Sequence, residues 1–267
     1  MVTKKDFMLC HNTNEEEAGR LDTSKWKANY KYDGERIIAI IDKGQVLLLN
    51  RRGAIKNEQF KEVVKELSSL PDCILDGEII SKDNNFNKLQ SRAGTKDPSK
   101  LALLEKSIPI DYMLFDMLMA DGKIITSEPL RNRLEALKKA LGSIDYACLK
   151  ICQYGEIGAL LGTAKANTME GIVVKNMDAP YESRRSHNWL KLKLWKETEI
   201  NICAYTSNNA GIRVEDKQEN AVQISGGQSQ EVKSLLDTQG YCTIYVQYLE
   251  KTVTGKMRFP SYRGLKA

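Results

Sequence analysis

Lys31-Tyr32-Asp33-Gly34-Glu35-Arg36 runs straight into Ile37-Ile38-Ala39-Ile40-Ile41, a charged turn feeding an apolar strand. One lysine stands at the mouth of that strand, with a carboxylate two positions on and an arginine five positions on. A lysine amine has a reference pKa of roughly 10.4, so it attacks poorly near neutrality unless nearby cations or desolvation favour its neutral form. From these residues alone a plain Asp-Gly turn beside a solvated lysine is the competing reading.

Outward from the block, residues 37–41 and 46–50 form a hairpin turning through Asp42-Lys43-Gly44. Residues 1–30 read as a polar lead-in with one short helix around 15–21. Phe60, Val63, Val64 and Leu67 recur at helical spacing within 58–70, ahead of Pro71. Strands are expected at 74–81, 110–117, 171–175 and 190–194, and helices at 130–141 and 155–166. In 190–194 apolar residues alternate with Lys191 and Lys193, which puts both lysines on one strand face.

Beyond Lys196 the character changes. Strands at 200–206, 221–225 and 241–250, with a helix at 228–237, suit a five-strand barrel of the OB type. The expected fold class is α+β, with a domain of antiparallel sheets and flanking helices at 1–196 and an all-β OB-fold domain at 197–267. A hinge is expected at 195–198.

The 267 residues carry a net charge of +5, and 42% of them are hydrophobic, which is ordinary globular composition. Residues 197–267 hold 8 Lys+Arg and 8 Asp+Glu, so the basic excess lies in 1–196. Arg184, Arg185, Lys191, Lys193 and Lys196 fall in one segment free of acid, which suits a polyphosphate or nucleic-acid partner. No stretch approaches the roughly 20 apolar residues of a membrane span, and the N-terminus lacks the apolar core of a secretory signal. The six cysteines lack the paired spacing of a zinc site and read as buried free thiols of a reducing compartment.

Six further segments carry chemistry. They are Asn50-Arg51-Arg52-Gly53, Leu75-Asp76-Gly77-Glu78-Ile79-Ile80, Leu114-Phe115-Asp116-Met117-Leu118, Met169-Glu170-Gly171-Ile172-Val173-Val174-Lys175, Trp189-Leu190-Lys191-Leu192-Lys193 and the closing Met257-Arg258-Phe259-Pro260-Ser261-Tyr262-Arg263-Gly264-Leu265-Lys266. Singly, most have plainer readings: solvated arginines, an Asp-Gly-Glu turn, a core phenylalanine, surface lysines. In this order and spacing, together with Lys31, they resemble the covalent nucleotidyltransferases, and among these the ATP-dependent DNA ligases. The resemblance spans residues 29–266, nearly the whole chain.

That resemblance implies an adenylation (nucleotidyltransferase) domain followed by an OB domain. Lys31 would attack the α-phosphorus of ATP and carry AMP covalently, with Asp33 and Arg36 positioning the lysine and the nick end. Arg51 would contact the nucleotide and then the 5′-phosphate, and Phe115 would stack on the purine. Asn29, Arg185, Lys191 and Lys193 would complete the nucleotide contacts, the two lysines at the α-phosphate. Glu78 would accept from the ribose or orient metal-bound water, and with Glu170 it would serve the catalytic Mg²⁺ (or Mn²⁺). The basic closing segment would orient the pyrophosphate. Asn29 stands where many ligases carry an acidic residue, and the segment reaches Ala267 without the downstream Asp-Lys of many relatives.

The implied activity is sealing of 5′-phosphate/3′-hydroxyl nicks in double-stranded DNA by a monomer, in replication, repair or recombination. An RNA ligase or a GTP-dependent mRNA-capping guanylyltransferase is the alternative within the superfamily. A non-catalytic nucleic-acid-binding OB protein is the alternative of another class. The expected location is the cytoplasm, or a host cell if the protein is viral.

Overall fold

The computed structural model describes residues 6–217, 220–252 and 254–266. The chain divides into two compact units, Met1–Leu192 and Lys193–Ala267. In chain order the first holds β1 (Leu9–Asn12), α1 (Glu15–Gly19), β2 (Trp26–Tyr30), β3 (Glu35–Asp42), β4 (Gln45–Asn50), α2 (Lys61–Leu67), β5 (Cys73–Ser81), α3 (Phe86–Gly94) and α4 (Pro98–Ser107). It continues with β6 (Ile110–Ala120), β7 (Lys123–Ile124), α5 (Leu130–Leu141), β8 (Leu149–Ile151), α6 (Ile157–Ala166), β9 (Gly171–Asn176) and β10 (Arg185–Lys193), whose final residue opens the second unit.

Two sheets build the first unit. One runs β1-β10-β9-β2, and the other runs β4-β3-β5-β6-β7 with β8 attached to β6. β3 is apolar from Ile37 to Ile41, which suits a strand covered on both faces of its sheet. Ile37, Ala39 and Ile41 point to a cluster under α2 and α5, while Ile38 points to a second cluster with Ile74, Phe115, Leu118, Tyr181 and Trp189. That second cluster joins the two sheets. The β3–β4 hairpin turns through Lys43 (φ 49°) and Gly44 (φ 76°), the two-residue geometry that matches strand twist. Leu130, Leu134, Leu137 and Leu141 of α5 recur at helical period and are all buried, each contributing roughly 1.5–3 kcal/mol of apolar burial.

β6 is longer than its partner β5 in two places. Asp76 pairs with Asp116 while Gly77 pairs with Leu114, which leaves Phe115 as an extra residue, and Leu118 is extra in the same way. Such bulges re-aim side chains, and here both residues turn to the cluster between the sheets. Gly77 itself has no room for a side chain: a Cβ would sit 2.5 Å from the Tyr112 ring.

The second unit contains β11 (Lys196–Asn208), β12 (Gly211–Asp216), β13 (Ala221–Ile224), α7 (Gly227–Gln239), β14 (Cys242–Tyr248) and β15 (Ser261–Leu265). Its strands form one antiparallel sheet in the order β13-β12-β11-β14-β15 around its own core of Ile202, Val214, Val222, Ile244 and Val246.

Several expectations need correcting. Residues 7–30 are not a polar lead-in: Phe7 and Met8 are buried, and β1 and β2 are strands of the first sheet. The sheets are not purely antiparallel, since β1 runs parallel to β10 and β8 to β6. The strand expected at 74–81 is β5, so Asp76-Gly77-Glu78 lies mid-strand and only the plainer turn reading falls. Of the cysteines, Cys203 is exposed and Cys10 partly so, though all six are free thiols. Ala267, and most of the N-terminal segment considered for a signal, lie outside the described residues. Among the described residues no helix is long and apolar enough to cross a membrane.

Candidate active site

Lys31 sits where the chain leaves one sheet for the other. β2 ends at Tyr30, paired with Ile172 of β9, and the Lys31 amide then donates to the Gly171 carbonyl at 2.9 Å. That pairing brings Glu170, the residue before β9, beside Lys31. Its Oε2 accepts from Nζ at 2.7 Å, with side-chain exposures of 22% for the lysine and 10% for the glutamate. Between Lys31 and β3 the backbone crosses hard against β5, and a Cβ on Gly34 would lie 2.1 Å from the Ile79 carbonyl oxygen. Only glycine makes that crossing.

Electrostatics tie four charges together here. Burial would lower the Lys31 pKa, but Glu170, then Glu78 and Asp33, outweigh it and hold the amine as ammonium above its ordinary value. Burial pushes Glu78 up to about 8, with Glu170 adding to the rise and Lys31 and Arg36 opposing it. Lys31, Asp33, Glu78 and Glu170 thus share one site.

Arg36 faces elsewhere. It was expected to position the lysine and the nick end, but its guanidinium is held in the core. Nε and Nη2 meet the two carboxylate oxygens of Asp76 at 2.9 and 2.6 Å, and Nη1 donates to the Met8 carbonyl at 2.6 Å. Phe7, Phe115 and Trp189 lie around it at 5.3–5.4 Å. It braces β3 against β5 beneath the lysine.

The remaining expected residues occupy distinct places. Phe115 is 7% exposed in the cluster between the sheets. Asn29 is 2% exposed on β2, opposite Val173. Its Nδ2 donates to the Tyr30 carbonyl, while Oδ1 is buried without a partner. Asn50 caps the turn after β4, where its Oδ1 accepts from the amides of Arg52 and Ala54 at 3.0 and 2.9 Å, and Arg51 is exposed on that turn. Arg185 is exposed on β10 and donates to the Cys10 carbonyl. Nearby, the His11 and His187 rings stack at 3.6 Å. Desolvation, then His187, Arg185 and Lys191, lowers the His11 pKa, which places Lys191 at the same edge. Lys193 belongs to the second unit, where Nζ lies 5.3 Å from the Trp195 ring and 5.5 Å from Phe259. In that unit Lys266 pairs with Glu199 at 2.6 Å, and Arg263 donates to Gln247. Among the described residues no cluster of three or more metal-ligating side chains occurs.

Sequence reading missed Asp76 as the anchor of Arg36, and it missed Lys175. A lysine closing the apolar run Ile172-Val173-Val174 was the available signal, since only a buried partner explains a cation on that strand face.

A lysine clasped by a carboxylate, beside a second carboxyl, has narrow chemical uses. It suits attack by an amine on a phosphorus whose carrier has a flat base, which is nucleotidyl transfer. Comparison with known proteins narrows the class. The family model for the ATP dependent DNA ligase domain matches residues 7–193. The SPbeta prophage-derived DNA ligase-like protein LigB of Bacillus subtilis (strain 168) is 29% identical over 210 residues, covering 76% of this chain and 72% of that one. A probable DNA ligase of Anaeromyxobacter dehalogenans (strain 2CP-1 / ATCC BAA-258) is 34% identical over 188 residues, but this chain spans only 36% of its length. A solved structure described as a Lig E DNA ligase, a minimal DNA-binding scaffold, superposes with a TM-score of 0.71 at 17% identity, covering 97% of this chain and 99% of that one.

This chain belongs to the ATP-dependent DNA ligase family, and its mixed sheet-and-helix fold is that of DNA ligase catalytic domains.

Proposed function

We propose that the protein seals 5′-phosphate/3′-hydroxyl nicks in duplex DNA through an AMP adduct on Lys31. The observation that carries this reading is the 2.7 Å contact between Lys31 and Glu170, residues 139 positions apart that the pairing of β2 with β9 brings together. Once the amine is neutral, its lone pair attacks the α-phosphorus of ATP, a P–N bond forms, and pyrophosphate leaves with the bonding electrons. The AMP then passes to the 5′-phosphate at the nick, where a phosphate oxygen displaces the lysine. Finally the 3′-hydroxyl attacks that activated phosphate and expels AMP.

Two features fit a purine nucleotide, and the family match points to ATP. The orphaned Asn29 Oδ1 on the strand leading to Lys31 is an acceptor suited to an exocyclic amine such as that of adenine. Phe115, set at a bulge between the sheets, is the candidate purine platform.

The donor set also fits a divalent cation. Glu78 is held partly protonated by burial and by the Glu170 charge, a pair that a bound Mg²⁺ or Mn²⁺ would stabilise in ionised form. Glu78 and Glu170 would hold it, and when bound it supplies charge neutralisation at the phosphates. The second unit is read as an OB fold, the basic residues Arg185, Lys191 and Lys193 of β10 as contacts to phosphate, and the enzyme as a monomer on nicked DNA. DNA affinity should therefore fall steeply with salt and vary little with sequence.

Nick sealing tests the reading. Nicked DNA with ATP is expected to be joined, with GTP or a nicked RNA duplex giving at most a few per cent of that rate. Joining of RNA alone, or adduct formation with GTP alone, would move the protein to another branch of the superfamily.

A further inference from the structure

One buried charge has no part in the chemistry above. Lys175, five residues after Glu170 on β9, is 1% exposed. Its Nζ lies 3.8 Å from the Trp189 ring centroid and 4.2 Å from that of Phe115, and it donates to Tyr154 Oη at 2.8 Å. Tyr154 Oη in turn donates to the Phe115 carbonyl oxygen at 2.8 Å. One ammonium therefore grips Phe115 twice, at the ring by cation–π attraction and at the backbone through the phenol.

Phe115 needs such a grip. It is the extra residue of the β6 bulge, where the ladder to β5 is interrupted. A packing role alone would be met more cheaply by methionine or leucine, since taking an ammonium out of water is costly.

We propose that Lys175 is a positioning residue for the purine of ATP, fixing Phe115 at the bulge through its ring and through Tyr154. The inference rests on the reading above that Phe115 meets the purine. A platform that holds the base equally in ground and transition states changes KM and leaves kcat nearly constant.

Burial pushes the Lys175 amine down to about 8 against the opposing pull of Asp116 on β6, Asp76 on β5, and Cys152 and Cys10. Arg36 on β3 faces the same rings with a permanent charge, and Tyr154 is held neutral by its own burial. The grip on Phe115 therefore weakens as pH rises past 8.

The test measures KM for ATP and kcat of adduct formation, from below to above pH 8, in wild type, Lys175→Met and Phe115→Leu. Lys175→Met is expected to raise KM on the order of tenfold with kcat within about twofold, and to erase the wild-type rise in KM above pH 8. Its thermal stability is expected to equal or exceed that of wild type. Wild-type KM and an unchanged alkaline limb in Lys175→Met, with KM raised in Phe115→Leu, would overturn the inference and leave the platform reading standing. Wild-type KM in Phe115→Leu would end both. If the methionine variant fails to fold, Lys175→Arg keeps the charge above pH 8: loss of the alkaline limb supports the inference, and its persistence overturns it.

Discussion

Glu170→Gln is expected to slow formation of the Lys31 adduct by about 10²-fold or more while leaving the protein folded. The side chain is 10% exposed and bonds Nζ at 2.7 Å, so the substitution keeps an acceptor of the same shape and removes only the charge that orients the ammonium. A second effect runs along the pH axis. Burial pulls the Lys31 pKa down and Glu170 is the first of the groups that push it up, so removing the carboxylate leaves desolvation dominant. The attacking amine must be neutral. The rising limb of the pH–rate profile should therefore move to lower pH in the variant even as the rate falls. A variant that reacts at the wild-type rate, with its limb unmoved, would remove Glu170 from the site.

Asp76→Ala is expected to destabilise the first unit by roughly 3–5 kcal/mol, because it leaves a buried charge without its partner. The carboxylate takes two hydrogen bonds from Arg36 and one from Tyr181 Oη at 2.8 Å, and its side chain is fully buried. Without it the guanidinium is left chiefly with the Met8 carbonyl, Tyr181 and three aromatic rings. The thermal midpoint should drop by on the order of 10 °C. Replacing Arg36 and Asp76 together by apolar residues of similar volume should recover much of that loss, since the desolvation penalty disappears with the pair. Equal melting of Asp76→Ala and wild type would mean that Arg36 is not held as described.

Local pattern made much of this fold legible. The apolar run of β3, the Lys43-Gly44 turn and the leucine spacing of α5 each state their structure in adjacent residues, and their observed bounds fall within a residue or two of expectation. The losses were long-range. β1 and β2 look polar because each is short and lies at a sheet edge, so pairing with β10 and β9 decides them rather than composition. α3 and α4 went unread: α4 begins with a Pro98 that marks a helix start as readily as a loop, and α3 buries only a narrow face.

At the site, proximity of Lys31 to Glu170 followed from motif order. The fate of Arg36 did not, because nothing in Lys-Tyr-Asp-Gly-Glu-Arg shows that its last residue turns inward to a carboxylate 40 positions away. Lys175 was hidden for a similar reason. Its burial depends on rings from β6 and β10 and on Tyr154 after β8, which no window of sequence holds together.

Mass spectrometry of the protein after exposure to ATP and Mg²⁺, with and without Lys31→Ala, tests the central claim most directly. The account predicts a single AMP bound to the Lys31 side chain, discharged by nicked DNA and absent from the alanine variant. An unmodified wild-type chain, or an adduct of equal yield on another residue in Lys31→Ala, would contradict it.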